Sequence, residues 1–255
     1  MPEIFKSPAF VISGQDLGES DRLITFYTKA RGKVRGIAKG AKRSRHRFVN
    51  ALEPFTMLNL SMVPPRTTAL NRIDSTEILD NFPLLRNKID CYIMASLCCE
   101  LVNLWTKEND PQADLFKLLR WYLNSINEGF HPLKTTLFFK TLLLALAGYA
   151  PDFDLCLLCK RPPMGNYVFF KLHAGGFICS ECRKSEEKTH KINLGTLKSL
   201  KHIQNGSLDN LHRLTMTNEV LEESWSLIKS IHCYHLEQVP ASYVAVNGLK
   251  LEIGK

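Results

Sequence analysis

The 255-residue sequence lacks the motifs by which most enzymes are recognised. It has no HExxH, no dinucleotide fingerprint, no paired-carboxylate motif and no Ser/His/Asp or Cys/His arrangement. Its eight His are scattered. These absences count against metalloprotease, dehydrogenase and nucleophilic chemistry. Long apolar runs are missing as well. The most apolar one, Leu133 to Ala147, is too short to span a bilayer and carries Lys140 in its middle, so it reads as a buried helix. The opening MPEIFKSPAFVISG has no apolar stretch behind a basic start, and no secretory signal is expected. Internal repeats and low-complexity tracts are absent. The last lack is local: from Lys29 to Arg47 there is no Asp or Glu.

That segment, KARGKVRGIAKGAKRSRHR, holds nine Lys and Arg and one His. The whole chain is net +8, and residues 1–80 hold 13 basic against 8 acidic residues. A concentrated positive field attracts polyanions, because neutralised phosphates release condensed counterions. In Lys33-Val34-Arg35-Gly36-Ile37-Ala38-Lys39, strand alternation puts Lys33, Arg35 and Lys39 on one face and turns Val34 and Ala38 inward. Arg43, Arg45 and Arg47 continue the charge into a loop. Phe26, Tyr27, Phe48 and Phe55 lie nearby in sequence. Single-strand binders combine cations with stacking rings, although core packing is the simpler reading of these four. The stretch GIAKGAKRS has the wrong spacing for a phosphate-binding loop, so no nucleotide hydrolysis is inferred.

Residues 1–80 read as five short strands: Ala9–Ile12, Leu23–Thr28, Lys33–Ala38, Phe55–Val63 and Asn71–Leu79. Gly and Pro punctuate them, which suggests a small antiparallel barrel. After Pro83 the period becomes helical, with Ile89, Ile93, Leu97, Leu101 and Leu104 in one stripe. Asp110-Pro111 reads as a second helix start, with Leu115, Leu118, Leu119, Tyr122 and Ile126 behind it. A third helix runs from about Pro132 to a left-handed cap at Gly148. Two more are expected over about 194–205 and 217–236. The organisation is therefore 1–80 barrel, 81–150 helical, 151–190 loop-rich, 191–238 helical and 239–255 tail.

Cys156-x2-Cys159, nineteen residues, then Cys179-x2-Cys182 is a strong metal signal. Two such knuckles close a tetrahedron around one Zn2+ with no position left for water, so the site is expected to be structural. Cys91, Cys98, Cys99 and Cys233 fall in expected helices and read as buried thiols.

Residues 18–45, GESDRLITFYTKARGKVRGIAKGAKRSR, closely resemble the N-terminal signature of RecO, a bacterial recombination mediator. The order of parts, ending in GGFICSEC at 175–182, matches over nearly the whole chain. The resemblance implies an α+β multidomain protein: an N-terminal OB-fold barrel, then a mainly α-helical domain with an inserted four-Cys zinc module. It implies binding of single- and double-stranded DNA, annealing of complementary strands, and help in loading RecA onto strands coated by single-strand binding protein (SSB). RecR and the acidic SSB C-terminal tail would be partners, with no enzymatic activity, no membrane and a cytoplasmic, nucleoid-associated location. DNA contact is carried onto Arg22, Lys33, Arg35, Lys39, Lys42, Arg43 and Arg45. Two rivals differ in class. One is an RNA-binding barrel-plus-zinc protein. The other is a Mg2+ nuclease built on Asp16, Glu19 and Asp21, although Asp21 beside Arg22 reads better as a structural pair.

Overall fold

A long strand, β1 (Phe5–Leu17), opens the fold and serves two neighbours. Residues 5–10 pair antiparallel with β4 (Met57–Val63), and residues 9–17 with β2 (Asp21–Thr28). A register shift between Val11 and Ser13 bends the strand between these tasks. β3 (Gly32–Ala38) follows β2 antiparallel, and β5 (Asn71–Asp80) pairs antiparallel with β4. A short parallel pairing, Gly36 opposite Asn71 and Ile37 opposite Arg72, joins β3 to β5 and closes a five-stranded barrel in the order β1-β2-β3-β5-β4. This is the expected OB-like architecture. The structure is a computed structural model that describes residues 4–44, 47–65, 70–184 and 188–249.

The barrel is filled by one face of each strand: Ala9, Val11, Ile24, Phe26, Val34, Ala38, Leu58, Leu60, Met62 and Ile73. Phe48, Ala51 and Leu52 from the β3–β4 connection cap it. Gly36 is required at the closure. A Cβ there would stand 2.6 Å from Met62 Cε and 3.0 Å from Ile73 Cγ1, which would push β5 away.

The chain forms two compact units. The first, Met1–Gly129 with Ser242–Val246, adds α1 (Pro83–Asn87), α2 (Ile89–Trp105) and α3 (Ala113–Asn127) to the barrel. α2 is buried on most sides, through Met94, Ala95, Leu97, Cys98, Leu101 and Val102, so a single stripe understates its core face. Ile89, placed on that stripe by periodicity, is exposed. α3 starts at Ala113, three residues after the expected Asp110 cap. The cause is tertiary. β5 pairs only with residues 36 and 37 of β3, which leaves the N-terminal edge of β3 open. The 108–110 backbone covers it, with Asn109 N donating to Lys33 O at 2.9 Å. Gly32 sits there at φ 61°, and a Cβ would run into the Asp110 carbonyl.

The second unit, Phe130–Ala241 with Asn247–Lys255, contains α4 (Pro132–Leu146), α5 (Leu194–Asn205) and α6 (Asn218–Leu236). α4 begins on Pro132 and ends before Gly148 at φ 82°, as expected. Asn193 caps α5 by accepting from Gly195 N at 2.7 Å, and Thr217 caps α6 by accepting from Val220 N at 3.3 Å. A three-stranded sheet, order β7-β6-β8, lies between α4 and α5 in the sequence: β6 (Tyr167–Lys171), β7 (Gly176–Ile178) and β8 (His190–Asn193). A last helix, α7 (Ser242–Gly248), follows α6. Among the described residues no helix is long and apolar enough to cross a membrane.

Candidate nucleic-acid interface and metal centre

On β3 the alternation holds. Val34 and Ala38 are in the barrel core, while Lys33 and Arg35 face outward. They line a groove of about 370 Å³ with Ser13 and Gln15 of β1, Leu23 and Thr25 of β2, and Asn103 and Glu108. Both cations are engaged there. Lys33 Nζ donates to the Asn103 carbonyl at 2.6 Å, and Arg35 Nε meets Glu108 Oε1 at 2.5 Å. Partial burial lowers the Lys33 pKa, an effect Glu108 opposes and Arg35 reinforces.

Arg22 and Lys42 are elsewhere, at the mouth of the barrel. They share Asp16, which lies 2.8 Å from Lys42 Nζ and 3.8 Å from Arg22 Nε. Arg22 also reaches Glu53 at 3.1 Å. Asp16 stands directly opposite Arg22 in the β1–β2 register. Asp21, expected to pair with Arg22, does not. Neighbours on a strand point to opposite faces, and Asp21 instead accepts from Gly40 N at 2.8 Å. That bond, with one from Ser20, lowers its pKa. Asp16 and Asp21 are thus spent on the chain itself, while Glu19 is exposed. Arg43 is 73 % exposed and touches Glu19 only at 3.8 Å. Lys39 is exposed and makes no ion pair among the described residues. Arg45 lies outside the described residues. Arg47 donates to the Asp74 carbonyl at 2.8 Å and to the Ile73 carbonyl at 3.2 Å, so it staples β5. Phe26, Tyr27, Phe48 and Phe55 are all core, and none offers a ring for stacking.

The four knuckle cysteines converge: their Sγ atoms lie within 4.8 Å of one another. Cys159 Sγ and Cys179 Sγ are 3.8 Å apart. A tetrahedral ion with Zn–S of about 2.3 Å sets sulfurs about 3.8 Å apart, so the residues fit Zn2+. Two of the thiols are shifted in opposite directions. Burial opposes ionisation of Cys156, but N–H donors of Cys159, Cys179 and Leu158 outweigh it and bring the thiol down to about 6. Hydrogen bonds from Cys182 to Cys179 and Cys159 push Cys182 up to about 12. A dication bound among the four sulfurs would favour the thiolate form that metal ligation needs. Cys91, Cys98 and Cys99 are buried, and burial raises Cys91 to about 11 and Cys99 to about 12. Cys233 is only half-buried.

Two sequence profiles cover almost the whole chain. Residues 1–82 match "Recombination protein O N terminal" and residues 86–243 match "Recombination protein O C terminal". The chain belongs to the RecO family. A relative from Syntrophus aciditrophicus named DNA repair protein RecO is 34 % identical over 227 residues, 88 % of this chain and 87 % of the relative. Its namesake in Myxococcus xanthus is 32 % identical over 234 residues, 92 % and 93 % of the two chains. One from Thermoanaerobacter sp. is 28 % identical over 248 residues, 97 % and 98 %.

In this RecO-family chain, sequence reasoning missed Asn103 and Glu108. No spacing rule links them to β3, because only the fold brings residues seventy apart to one groove. It also missed the small sheet beside the cysteines. There Arg183 lies over the Phe169 ring and Lys191 over the Tyr167 ring. The alternating rings of YVFFK were the available signal.

Proposed function

We propose that this chain is a non-catalytic recombination mediator of DNA repair. It binds single- and double-stranded DNA, anneals complementary strands, and with RecR helps load RecA onto SSB-coated strands, contacting the acidic SSB tail. Membership of the RecO family supports the repair role. The observation that carries the DNA-binding reading is the run of cations leading out of the OB-like barrel: Lys33 and Arg35 in the β3 groove, then exposed Lys39 and Arg43. Phosphate contacts of this kind are sequence-independent and need no cofactor. Annealing follows physically. A basic surface screens phosphate repulsion between strands, and base pairing supplies the free energy. Cys156, Cys159, Cys179 and Cys182 hold one Zn2+, which ties two loops together and supplies no chemistry. The working location is the cytoplasm, at the nucleoid.

The test is strand annealing of complementary oligonucleotides without nucleotide, naked and SSB-coated. The protein accelerates both, steeply less so with added salt. Deleting the SSB tail slows only the coated reaction. Equal annealing with intact and tailless SSB removes the partner claim. No annealing of naked DNA, together with tight RNA binding in direct competition, transfers the reading to an RNA-binding protein.

A further inference from the structure

The sheet of the cysteine module has two unlike faces. Val168, Phe170, Phe177 and Ile192 form its buried side. On the other side β6 carries Tyr167 and Phe169, and β8 carries Lys191 directly opposite Phe169; Phe169 is itself buried, and Tyr167 is the exposed ring of this face. The rings meet edge to face, with centroids 5.6 Å apart at 84°. Each carries a cation: Lys191 Nζ lies 4.0 Å from the Tyr167 centroid, and the Arg183 guanidinium carbon 4.1 Å from that of Phe169. Tyr167 stays 39 % exposed. Lys184 and Lys188 flank this face in sequence and are exposed, as are Arg183 and Lys191. None of these four cations pairs with a carboxylate among the described residues.

The contrast with the barrel is chemical. There Arg22, Arg35 and Lys42 are matched to Glu53, Glu108 and Asp16, and Phe26, Tyr27, Phe48 and Phe55 are core. A carboxylate cancels the charge it holds. A π face orients a cation yet leaves its charge available to an outside anion. We propose that this sheet face is a second nucleic-acid contact surface, selective for single strands. Arg183 and Lys191 take phosphates, and an unstacked base lies against Tyr167. A duplex offers the same phosphates but keeps its bases stacked, so the ring contributes only to single-strand binding. This surface is independent of the barrel cations, and either can fail alone.

The experiment uses the full chain with its zinc content verified and a labelled oligo-dT titrated across salt by fluorescence anisotropy. Arg183→Glu with Lys191→Glu lowers the log–log salt slope by about 1.4, two contacts at about 0.7 each. Arg183→Lys with Lys191→Arg leaves the slope as in the wild type. Tyr167→Ala weakens single-strand binding about tenfold, within the range for one lost stacking ring, with duplex affinity unchanged. Unchanged slope in the zinc-replete double variant overturns the proposal, as does an equal loss of duplex and single-strand binding in Tyr167→Ala. If the charge reversals lose zinc, photocrosslinking of iodouracil-substituted oligo-dT to the wild type decides. A crosslink at Tyr167 supports the surface, and crosslinks confined to residues 1–82 overturn it. Competition by an acidic peptide with no displacement by oligo-dT assigns the face to a protein partner and also overturns it. Loss of binding in Lys39→Glu with Arg43→Glu bears on the barrel reading alone.

Discussion

Glu108 sets how much of the β3 charge reaches a ligand. It lies 2.5 Å from Arg35, and its carboxylate stabilises the Lys33 ammonium against burial. Glu108→Gln therefore frees one cation without adding any. Single-strand affinity rises and the log–log salt slope steepens by about 0.7; an unchanged slope in anisotropy titrations would place Arg35 outside the contact. Gly32 is a residue of the opposite kind, important for fold rather than charge. It combines φ 61° with the Asp110 carbonyl at the place of its missing Cβ. Gly32→Ala strains the backbone and parts β3 from the 108–110 segment, at about 2 kcal/mol or more in urea unfolding. A third residue speaks through pH. His232 is buried with Nε2 3.0 Å from the Lys140 carbonyl. Burial, helped by the Lys140 charge, holds its pKa down to about 3, against 6.5 in the unfolded chain. The unfolded state thus takes up the proton first. The contribution is complete above 6.5 and declines as pH falls toward 3, by about 2 kcal/mol at pH 5. His232→Gln flattens this acid limb, which urea midpoints at pH 5 and 7.5 measure.

At the scale of elements, what the sequence discloses depends on how local the cause is. All five strands and the α4, α5 and α6 spans were legible, because Gly148, Asn193, Thr217 and a strict period mark them within a few residues. The cysteine cluster was legible for the same reason: each knuckle is a four-residue motif. The α3 start was not. Its expected cap, Asp110, lies in a segment drawn to the open edge of β3, a demand made eighty residues away. The cations onto which DNA contact was carried likewise separate, Lys33 and Arg35 into the groove and Arg22 and Lys42 to the barrel mouth. Alternation predicts the face of a strand but not which carboxylate arrives from another element. For the knuckles the expectation is direct. One zinc per chain copurifies, and Cys156→Ser with Cys159→Ser loses it, with lower stability of the module. Elemental analysis finding no zinc in protein kept free of chelator would contradict this.

At the scale of the whole molecule, the first unit is not a continuous stretch of chain. It takes residues 1–129 and then Ser242–Val246, with 112 residues of the second unit between. The returning segment is well seated. Ser242 N donates to Glu100 Oε2 at 2.8 Å, and Tyr243 and Val246 are buried. A fragment ending at residue 129 therefore lacks two core side chains and unfolds at lower urea than the same unit in the full chain, as barrel-region hydrogen exchange would report. This return also orders events in time. A ribosome making the protein releases the barrel and its first helices well before the residues that finish their packing, which emerge only after the 112 residues of the second unit between them. While those 112 residues are being made, the nascent chain carries an incomplete first unit with an apolar seat open to water. Folding of the first unit is thereby tied to delivery of Ser242–Val246, and a chain truncated before that segment loses part of the first unit as well as of the second.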